Sequence, residues 1–272
     1  MILPGEIQSI AGRTGVRDTQ IEKDYVISWV TYGIVKNPFL KEHLIFKGGT
    51  VLKKVYLPDY RFSEDLDFTY RGENFNIEEI QAAFSQLIGW VYEESRISLS
   101  LKEEKQYETG NFNFYLSYTG PFGGTGANKD IKVDISQNEL ICNEPREGKI
   151  INLYSDLSQS NYSILCYTLS EVIAEKMRSL MQRTTPRDIY DLWYLFETEG
   201  QDIKDHIFTF QEKARFKGFD PKKLIIVIEA KEKIYAKHWE NHLADQMTEI
   251  PDFNKVWREL CKHWRKFQKF IQ

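Results

Sequence analysis

The stretch RFSEDLDF, residues 61–68, places two aspartates one residue apart within a run of apolar residues typical of a β-strand. In a strand, the side chains at positions i and i+2 lie on the same face of the sheet. Asp65 and Asp67 are therefore predicted to project together, with Leu66 and Phe68 on the opposite face. Adjacent carboxylates repel each other unless a cation lies between them. Because such a pair alone is more typical of a solvated strand edge, its meaning depends on the rest of the chain.

Two further patterns add a candidate phosphate site and a third carboxylate. The segment HLIFKGG, residues 43–49, is predicted to be a short buried strand that ends at two glycines and is followed by a helix. Glycines allow a phosphate to approach the backbone, and a helix N-terminus offers unpaired N–H groups. Further on, IKVDISQNEL alternates apolar and polar residues, which places Asp134 on the polar face of a strand.

The combination of these patterns indicates chemistry that none of them indicates alone. A Gly-Gly-Thr sequence is more often a tight turn than a phosphate site, and an isolated aspartate carries little information. Three carboxylates from two strands, however, can bind two divalent cations, and Mg²⁺ prefers such oxygen ligands. A pair of metal ions positions the attacking and leaving oxygens in phosphoryl or nucleotidyl transfer. The order and spacing of the three patterns therefore favour a catalytic site.

The predicted elements give an α+β fold in two parts. The first part mixes helices and strands, and after about residue 165 no further strand pattern is found. We therefore expect one domain over residues 1–160 and a helical domain over residues 161–272. The main predicted elements are helices at residues 18–35, 76–94 and 168–183 and strands at residues 43–49 and 61–70.

Capping residues predict where the first helices of the helical half begin. Thr168 and Glu171 form a capping box that opens a helix extending to about Arg183. Thr185 is then predicted to be the N-cap of the next helix, because Pro186 suits the first helical position.

Composition limits the classes of partner and compartment. The 272 residues carry a net charge of −4, so the whole chain has no basic signature for nucleic acid. Its last 22 residues nevertheless hold six basic residues against two acidic ones, which indicates either a polyanionic partner or a solvated helix face. The three cysteines are far apart, which argues against a disulfide framework or a zinc site. Because neither a signal-peptide pattern nor a membrane-spanning run is seen, we expect a cytoplasmic protein.

Several segments together resemble a known protein family. IFKGGTVLKKVY and RFSEDLDF are similar to motifs I and II of the AbiEii/AbiGii nucleotidyltransferase toxins of type IV toxin–antitoxin systems. This group belongs to the DNA polymerase β-like nucleotidyltransferase superfamily. EKDYVISWV and YTLSEVIAEKMRSLMQRTTPRDIYDLWYLF also match its pattern, so the resemblance extends from Glu22 to Leu195. It implies a nucleotidyltransferase-type mixed β-sheet with flanking helices, followed by an all-helical C-terminal domain.

The resemblance implies roles for the residues that match the family's motifs. The residues that would bind the nucleotide are Gly48, Gly49, Thr50, Lys54, Ser63, Lys176 and Arg183. The residues that would act in catalysis are Asp65, Asp67, Asp134, Lys176 and Asp188. The first three of these would bind metal, with two Mg²⁺ ions expected, and Asp134 would help to activate the acceptor hydroxyl. The C-terminal domain would contribute Lys176 and Asp188 to the site.

The charged residues of the helical half also have structural interpretations. On a helix, Lys176 and Arg183 lie roughly along one stripe, which suits either a triphosphate or a solvated basic face. Asp188 lies three residues after the predicted N-cap, where a carboxylate can cap its own helix. Arg187 and Asp191 have the i, i+4 spacing of an ion pair. The resemblance favours site roles for Lys176 and Asp188.

These inferences predict a Mg²⁺-dependent nucleotidyltransferase that transfers the NMP moiety of an NTP to an acceptor and releases pyrophosphate. By resemblance, it would be the toxin of a bacterial toxin–antitoxin or abortive-infection (phage-defence) system. Its partners would be a separately encoded antitoxin and a tRNA whose 3′ end is the acceptor. Two alternatives are open: transfer of NMP to a protein hydroxyl, as in AMPylation, and a catalytically silent nucleotide-binding scaffold.

Overall fold

The computed structural model describes residues 1–106, 110–124, 129–158 and 160–271, without the side chains of residues 103–106. The chain forms two compact units. The first consists of Met1–Glu139 and Pro145–Cys166, and the second consists of Leu140–Glu144 and Tyr167–Gln272.

A seven-stranded mixed sheet runs through the first unit. Its strands are β1 (Leu44–Lys47), β2 (Leu66–Tyr70), β3 (Ser98–Gln106), β4 (Asn111–Thr119), β5 (Asp130–Ser136), β6 (Arg146–Lys149) and β7 (Ser163–Cys166). Their spatial order is β3-β4-β5-β2-β1-β7-β6. β2 pairs with β5, and β1 with β7, in parallel, whereas the other neighbours are antiparallel. The predicted mixed sheet is therefore confirmed.

Five α-helices accompany the sheet in the described part of this unit. They are α1 (Pro4–Thr14), α2 (Asp18–Lys36), α3 (Pro38–His43), α4 (Gly48–Val51) and α5 (Ile77–Ser95). The periodicity predicted α2 and α5 to within about one residue. The short helix α4 continues as a π-helical turn, Leu52–Tyr56, and the chain leaves it before Pro58.

The sheet has one apolar face at the centre of this unit. Phe68 of β2 is paired in register with Phe46 of β1 and with Ile135 of β5. All three side chains are fully buried, as are Leu66 and Val133 in the neighbouring pair. Because side chains alternate along a strand, the residues between them project to the opposite face. The predicted alternation in β5 is confirmed.

The second unit contains six α-helices among its described residues. They are α6 (Leu169–Gln182), α7 (Pro186–Trp193), α8 (Ile207–Phe216), α9 (Leu224–Glu229), α10 (Glu232–Leu243) and α11 (Phe253–Phe270). None of the helices in the described part of the chain is long and apolar enough to cross a lipid bilayer.

One half of the predicted capping box is present at the start of α6. The hydroxyl of Thr168 accepts a hydrogen bond from the N–H of Glu171 at 3.2 Å. The Glu171 carboxylate does not return to the cap. It accepts hydrogen bonds from the backbone N–H groups of Cys142 and Asn143 at 3.1 and 3.0 Å and pairs with Lys213 at 2.7 Å. Glu171 therefore fixes the segment Leu140–Glu144 within the second unit.

Candidate active site

A row of polar residues crosses four adjacent strands of the sheet. Lys47 of β1 is paired in register with Asp67 of β2, and Asp67 is paired with Asp134 of β5. Asp134 is paired in turn with Asn113 of β4. Residues paired in register project to the same face, and adjacent strands lie about 4.8 Å apart. The register therefore brings the carboxylates of Asp67 and Asp134 side by side.

The ammonium group of Lys132 contacts one of the three predicted carboxylates, that of Asp134, and is influenced by the charges of the other two. Its Nζ is 2.9 Å from Oδ2 of Asp134. Burial alone would lower the pKa of Lys132, but the hydrogen bond with Asp134 and the negative charges of Asp134, Asp65 and Asp67 raise it. All three aspartates are half-buried. Sequence reasoning missed Lys132, although its position two residues before Asp134 placed it on the same strand face.

Gly48 lies directly against Asp67. The backbone at Gly48 has φ = +77°, a conformation that residues with a side chain rarely adopt. A Cβ atom at this position would overlap the Asp67 carboxylate. Both the backbone conformation and the close approach therefore require glycine. The predicted phosphate site and one of the predicted metal ligands are in contact.

Replacement of Gly48 by alanine is expected to reduce the nucleotidyl transfer that the family resemblance predicts by about 10- to 100-fold, because the methyl group displaces the Asp67 carboxylate by a distance on the order of 1 Å. The matched control is Gly218→Ala. Gly218 has almost the same φ, +78°, but nothing lies within 4 Å of a Cβ built there. Steady-state transfer rates and thermal unfolding of both variants separate the steric effect from backbone strain. Equal rates for the two variants would contradict the assignment.

A buried arginine and a buried serine face the second glycine. A Cβ atom on Gly49 would lie 3.1 Å from Nη2 of Arg61 and 3.2 Å from Oγ of Ser63. The hydroxyl of Thr50 donates a hydrogen bond to the backbone carbonyl of Asp65 and so links the glycine turn to the aspartate stretch. Sequence reasoning missed Arg61. The sequence feature that could have indicated Arg61 is its spacing, because Arg61, Ser63 and Asp65 occupy alternate positions.

Lys54 lies in the core of the first unit. Its Nζ is 2.7 Å from Oδ2 of Asp24 and 2.8 Å from Oγ of Ser28, and it lies 5.8 Å from the centre of the Tyr154 ring. Burial lowers the pKa of Lys54, although the negative charge of Asp24 opposes this effect. The ammonium group of Lys54 is therefore held in a buried ion pair within the core.

In the second unit, Lys176, Arg183 and Asp188 form one charged cluster. Nζ of Lys176 is 3.3 Å from Oδ1 of Asp188 and also forms an ion pair with Asp191. Nε of Arg183 is 2.8 Å from Oδ2 of Asp188, while 59% of the Arg183 side chain is exposed. The side chain of Thr185 makes no capping hydrogen bond to α7. Asp188 therefore positions the two basic side chains.

The stabilising effect of Asp188 is expected to depend on pH. Burial alone would raise its pKa, but the positive charges of Lys176 and Arg183 lower it below its usual value. A carboxyl whose pKa is lower in the folded state stabilises the fold above its unfolded pKa, about 3.9, and this contribution is lost as the pH falls through the folded pKa. Asp188→Asn should lower the free energy of unfolding by about 1.5–3 kcal/mol at pH 6, and by less below about pH 4.

Urea unfolding between pH 3 and pH 6 measures this difference. The exposed Asp205 supplies the control, Asp205→Asn, for which we expect little change at any pH in this range. A stability loss in Asp188→Asn that is the same at pH 3 and pH 6 would contradict the prediction.

The three predicted carboxylates of the first unit offer the oxygen ligands that a divalent cation such as Mg²⁺ prefers. Mg²⁺ takes oxygen ligands and keeps several water molecules, so it needs only a few half-exposed carboxylates. The contact between Lys132 and Asp134 shows that this position attracts a positive charge. Within the described residues, no group of three His, Cys, Asp or Glu side chains is already arranged to hold a metal ion.

Comparison with known families identifies the chain. The model of the family described as "Nucleotidyl transferase AbiEii toxin, Type IV TA system" matches residues 32–270. The chain belongs to the AbiEii family. It is therefore a nucleotidyltransferase toxin of a type IV toxin–antitoxin system, as its resemblance to that group predicted. Membership of the AbiEii family implies an NTP substrate and a separate antitoxin.

Solved structures show the same fold. The chain is similar to MenT4, a nucleotidyltransferase toxin from Mycobacterium tuberculosis H37Rv, with 15% identity and a TM-score of 0.69 over 100% of this chain and 91% of that one. It is also similar to JHP933 from Helicobacter pylori, with 17% identity and a TM-score of 0.57 over 93% of this chain and 94% of that one. Comparison with functionally curated proteins gives no match.

Proposed function

We propose that this AbiEii-family toxin transfers the NMP moiety of an NTP to the 3′ end of a tRNA in a Mg²⁺-dependent reaction. The observation that carries the proposal is the register that pairs Asp67 with Asp134 while Asp67 lies against Gly48. An acidic pair beside a glycine turn suits a metal-bound triphosphate. The toxin would act in a toxin–antitoxin or phage-defence system.

The residues of the first unit would divide the chemistry among them. Asp65, Asp67 and Asp134 would hold Mg²⁺, which neutralises negative charge on the triphosphate when bound. The acceptor hydroxyl forms a bond to the α-phosphorus, and the bond to pyrophosphate breaks. Asp134 takes the proton of the acceptor hydroxyl as the general base. Nζ of Lys132 lies 2.9 Å from Oδ2 of Asp134, so this ion pair must open before Asp134 can act.

Charged and small residues would bind the phosphates. Gly48 and Gly49 leave room for the phosphate oxygens, and Arg61 and Ser63 face Gly49 as hydrogen-bond donors. Thr50 keeps the turn in place through its bond to Asp65.

The charged cluster of the second unit would supply further positive charge. Asp188 holds Lys176 and Arg183 through ion pairs, and Asp191 also pairs with Lys176, while 59% of the Arg183 side chain is exposed. We propose that Lys176 and Arg183 act on nucleotide phosphates and that Asp188 positions them, as the family pattern implies.

Labelled substrates test the reaction and its acceptor together. The toxin is incubated with each of the four α-labelled NTPs and Mg²⁺, with total tRNA or without RNA, and every reaction is repeated with EDTA. We expect label at the 3′ end of tRNA, and none with EDTA. Label on protein would instead identify a protein acceptor and overturn the tRNA assignment. No transfer, together with no NTP-dependent shift in melting temperature, would overturn the catalytic proposal.

A further inference from the structure

The last helix of the second unit carries an exposed row of basic side chains. We call this set on α11 the basic row, and its members are Lys255, Arg258, Lys262, Arg265 and Lys269. They are spaced alternately by three and four residues. At 3.6 residues per turn, this spacing keeps all five within an arc of about 80° around the helix. The basic row is therefore one continuous stripe.

The charge of the basic row is not neutralised within the described part of the chain, where none of its five side chains has an ion-pair partner. The neighbouring Lys266 differs, because its Nζ lies 2.6 Å from Asp202. The acidic residue of α11 and the one that caps it are engaged elsewhere. Asp252 accepts a hydrogen bond from the backbone N–H of Lys255 at 2.9 Å, and Glu259 accepts one from Nε1 of Trp193 at 2.7 Å.

The opposite face of α11 anchors the helix in the second unit. Six side chains on that face are buried: Phe253, Val256, Trp257, Leu260, Trp264 and Phe267. A helix that binds a lipid surface inserts its apolar face into the headgroup region. Because the apolar face of α11 is already buried in protein, a membrane is not the partner that it fits. The helix instead presents the basic row on a fixed support.

We propose that the basic row binds the phosphate backbone of the RNA acceptor, an inference that rests on the proposed function. The row extends over about 21 Å at 1.5 Å per residue. Each nucleotide of an RNA strand carries one phosphate, so a stripe of this length reaches several phosphates. Such contacts position the nucleic acid without reading its sequence.

An acidic protein fits the basic row less well. Protein interfaces depend on central aromatic and aliphatic anchors. Outside the row, the exposed residues of α11 are Asn254, Gln268 and Phe270, and Phe270 at the end of the helix is the one large apolar side chain among them. The local positive charge also contrasts with the net charge of −4 for the whole chain. A polyanion with a regular charge spacing is therefore the matching partner.

Salt-dependent RNA binding tests the proposal. The probe is a fluorescein-labelled acceptor-stem hairpin, and its anisotropy is measured without NTP at several salt concentrations. We expect the triple variant Arg258→Gln/Lys262→Gln/Arg265→Gln to bind at least about 10-fold more weakly at the lowest salt concentration. Each lost phosphate contact reduces the slope of log K against log salt by about 0.7 for a single strand and about 0.9 for B-form DNA, so the loss of three contacts should lower the slope by about 2 to 3.

A control with the same change of charge shows whether position matters. The variant Lys222→Gln/Lys223→Gln/Lys233→Gln removes three exposed lysines from the same unit, and we expect its affinity to stay within about twofold of wild type. Both triple variants should keep the NTP-dependent shift in melting temperature, which shows that the fold is intact.

The possible outcomes separate this proposal from the proposed function. An unchanged affinity and slope in the row variant would overturn the proposal, and so would equal losses in the two triple variants. Because binding is measured without NTP, row-dependent RNA binding with no transfer of label would overturn the proposed reaction alone. Transfer of label to tRNA, together with unchanged RNA binding by the row variant, would overturn only the proposal that the basic row binds RNA.

Discussion

Replacement of Asp67 by asparagine is expected to lower the rate of nucleotidyl transfer by about 10³-fold, which corresponds to about 4 kcal/mol of transition-state stabilisation. Asp67 lies between Lys47 and Asp134 in the sheet register and against Gly48. Asparagine keeps the size of the side chain, so its contact with Gly48 is preserved. The substitution removes the negative charge that the proposed metal ion would need, and charged groups in a fixed site contribute strongly to catalysis.

Single-turnover transfer from a labelled NTP measures this effect. The matched control is Asp130→Asn on β5, since Asp130 forms a partly exposed ion pair with Lys102 at 3.4 Å and has no proposed role in the reaction. We expect the control to retain transfer within about twofold, because an ion pair of this kind contributes little. Thermal unfolding verifies that Asp67→Asn is folded. A rate within about tenfold of wild type would refute the assignment of Asp67.

Replacement of Lys213 by methionine is expected to lower the free energy of unfolding by about 3–5 kcal/mol, because it leaves a buried carboxylate without its counter-charge. Nζ of Lys213 lies 2.7 Å from Oε1 of Glu171, and neither side chain is more than 2% exposed. The same nitrogen donates a hydrogen bond to the carbonyl of Leu140 at 2.8 Å and lies 5.0 Å from the centre of the Tyr167 ring. Methionine keeps much of the volume but none of these polar contacts.

An exposed pair on the same helix supplies the comparison. Arg215 forms an ion pair with Glu212 at 2.8 Å, but 54% and 39% of the two side chains are exposed. Because exposed ion pairs contribute little, Arg215→Met should change the free energy of unfolding by less than about 0.5 kcal/mol. Urea unfolding at pH 7 compares the two variants. If Lys213→Met and Arg215→Met have the same small effect, Lys213 is not important for stability.

Local patterns predicted most of the fold. The periodicity of α5 matches a helix that packs one face against the core, whereas α2 is buried around most of its circumference. Pro186 takes the predicted first position of α7. The strand predicted at residues 61–70 is shorter, because β2 begins at Leu66. Residues 61–65 belong to no strand, and Arg61 and Ser63 lie beside Gly49 of the glycine turn. Alternation alone does not distinguish such a segment from a strand that pairs with neighbours.

The partners of buried charges were the least predictable feature. Glu171 was predicted to cap its own helix, but its carboxylate pairs with Lys213, 42 residues further along the chain. Lys54 matches a motif position, yet its ammonium pairs with Asp24, 30 residues earlier. Sequence reasoning favours nearby partners because spacing along a helix is visible in the sequence. A partner that is brought close only by tertiary packing is not visible in the sequence. A buried charge nevertheless needs such a partner, because an unpaired buried charge is strongly destabilising.

Lys132 gives the enzyme an internal counter-ion, which has a consequence for its assembly. Two carboxylates paired on neighbouring strands would otherwise oppose the closure of the sheet. With the ammonium 2.9 Å from Asp134, the acidic side chains come together around a charge that the chain itself carries. A newly made polypeptide can therefore complete this sheet before any ion arrives. If the site binds Mg²⁺ as proposed, we expect the metal ion to replace the Lys132 ammonium beside Asp134, and we expect folding of the sheet not to require magnesium.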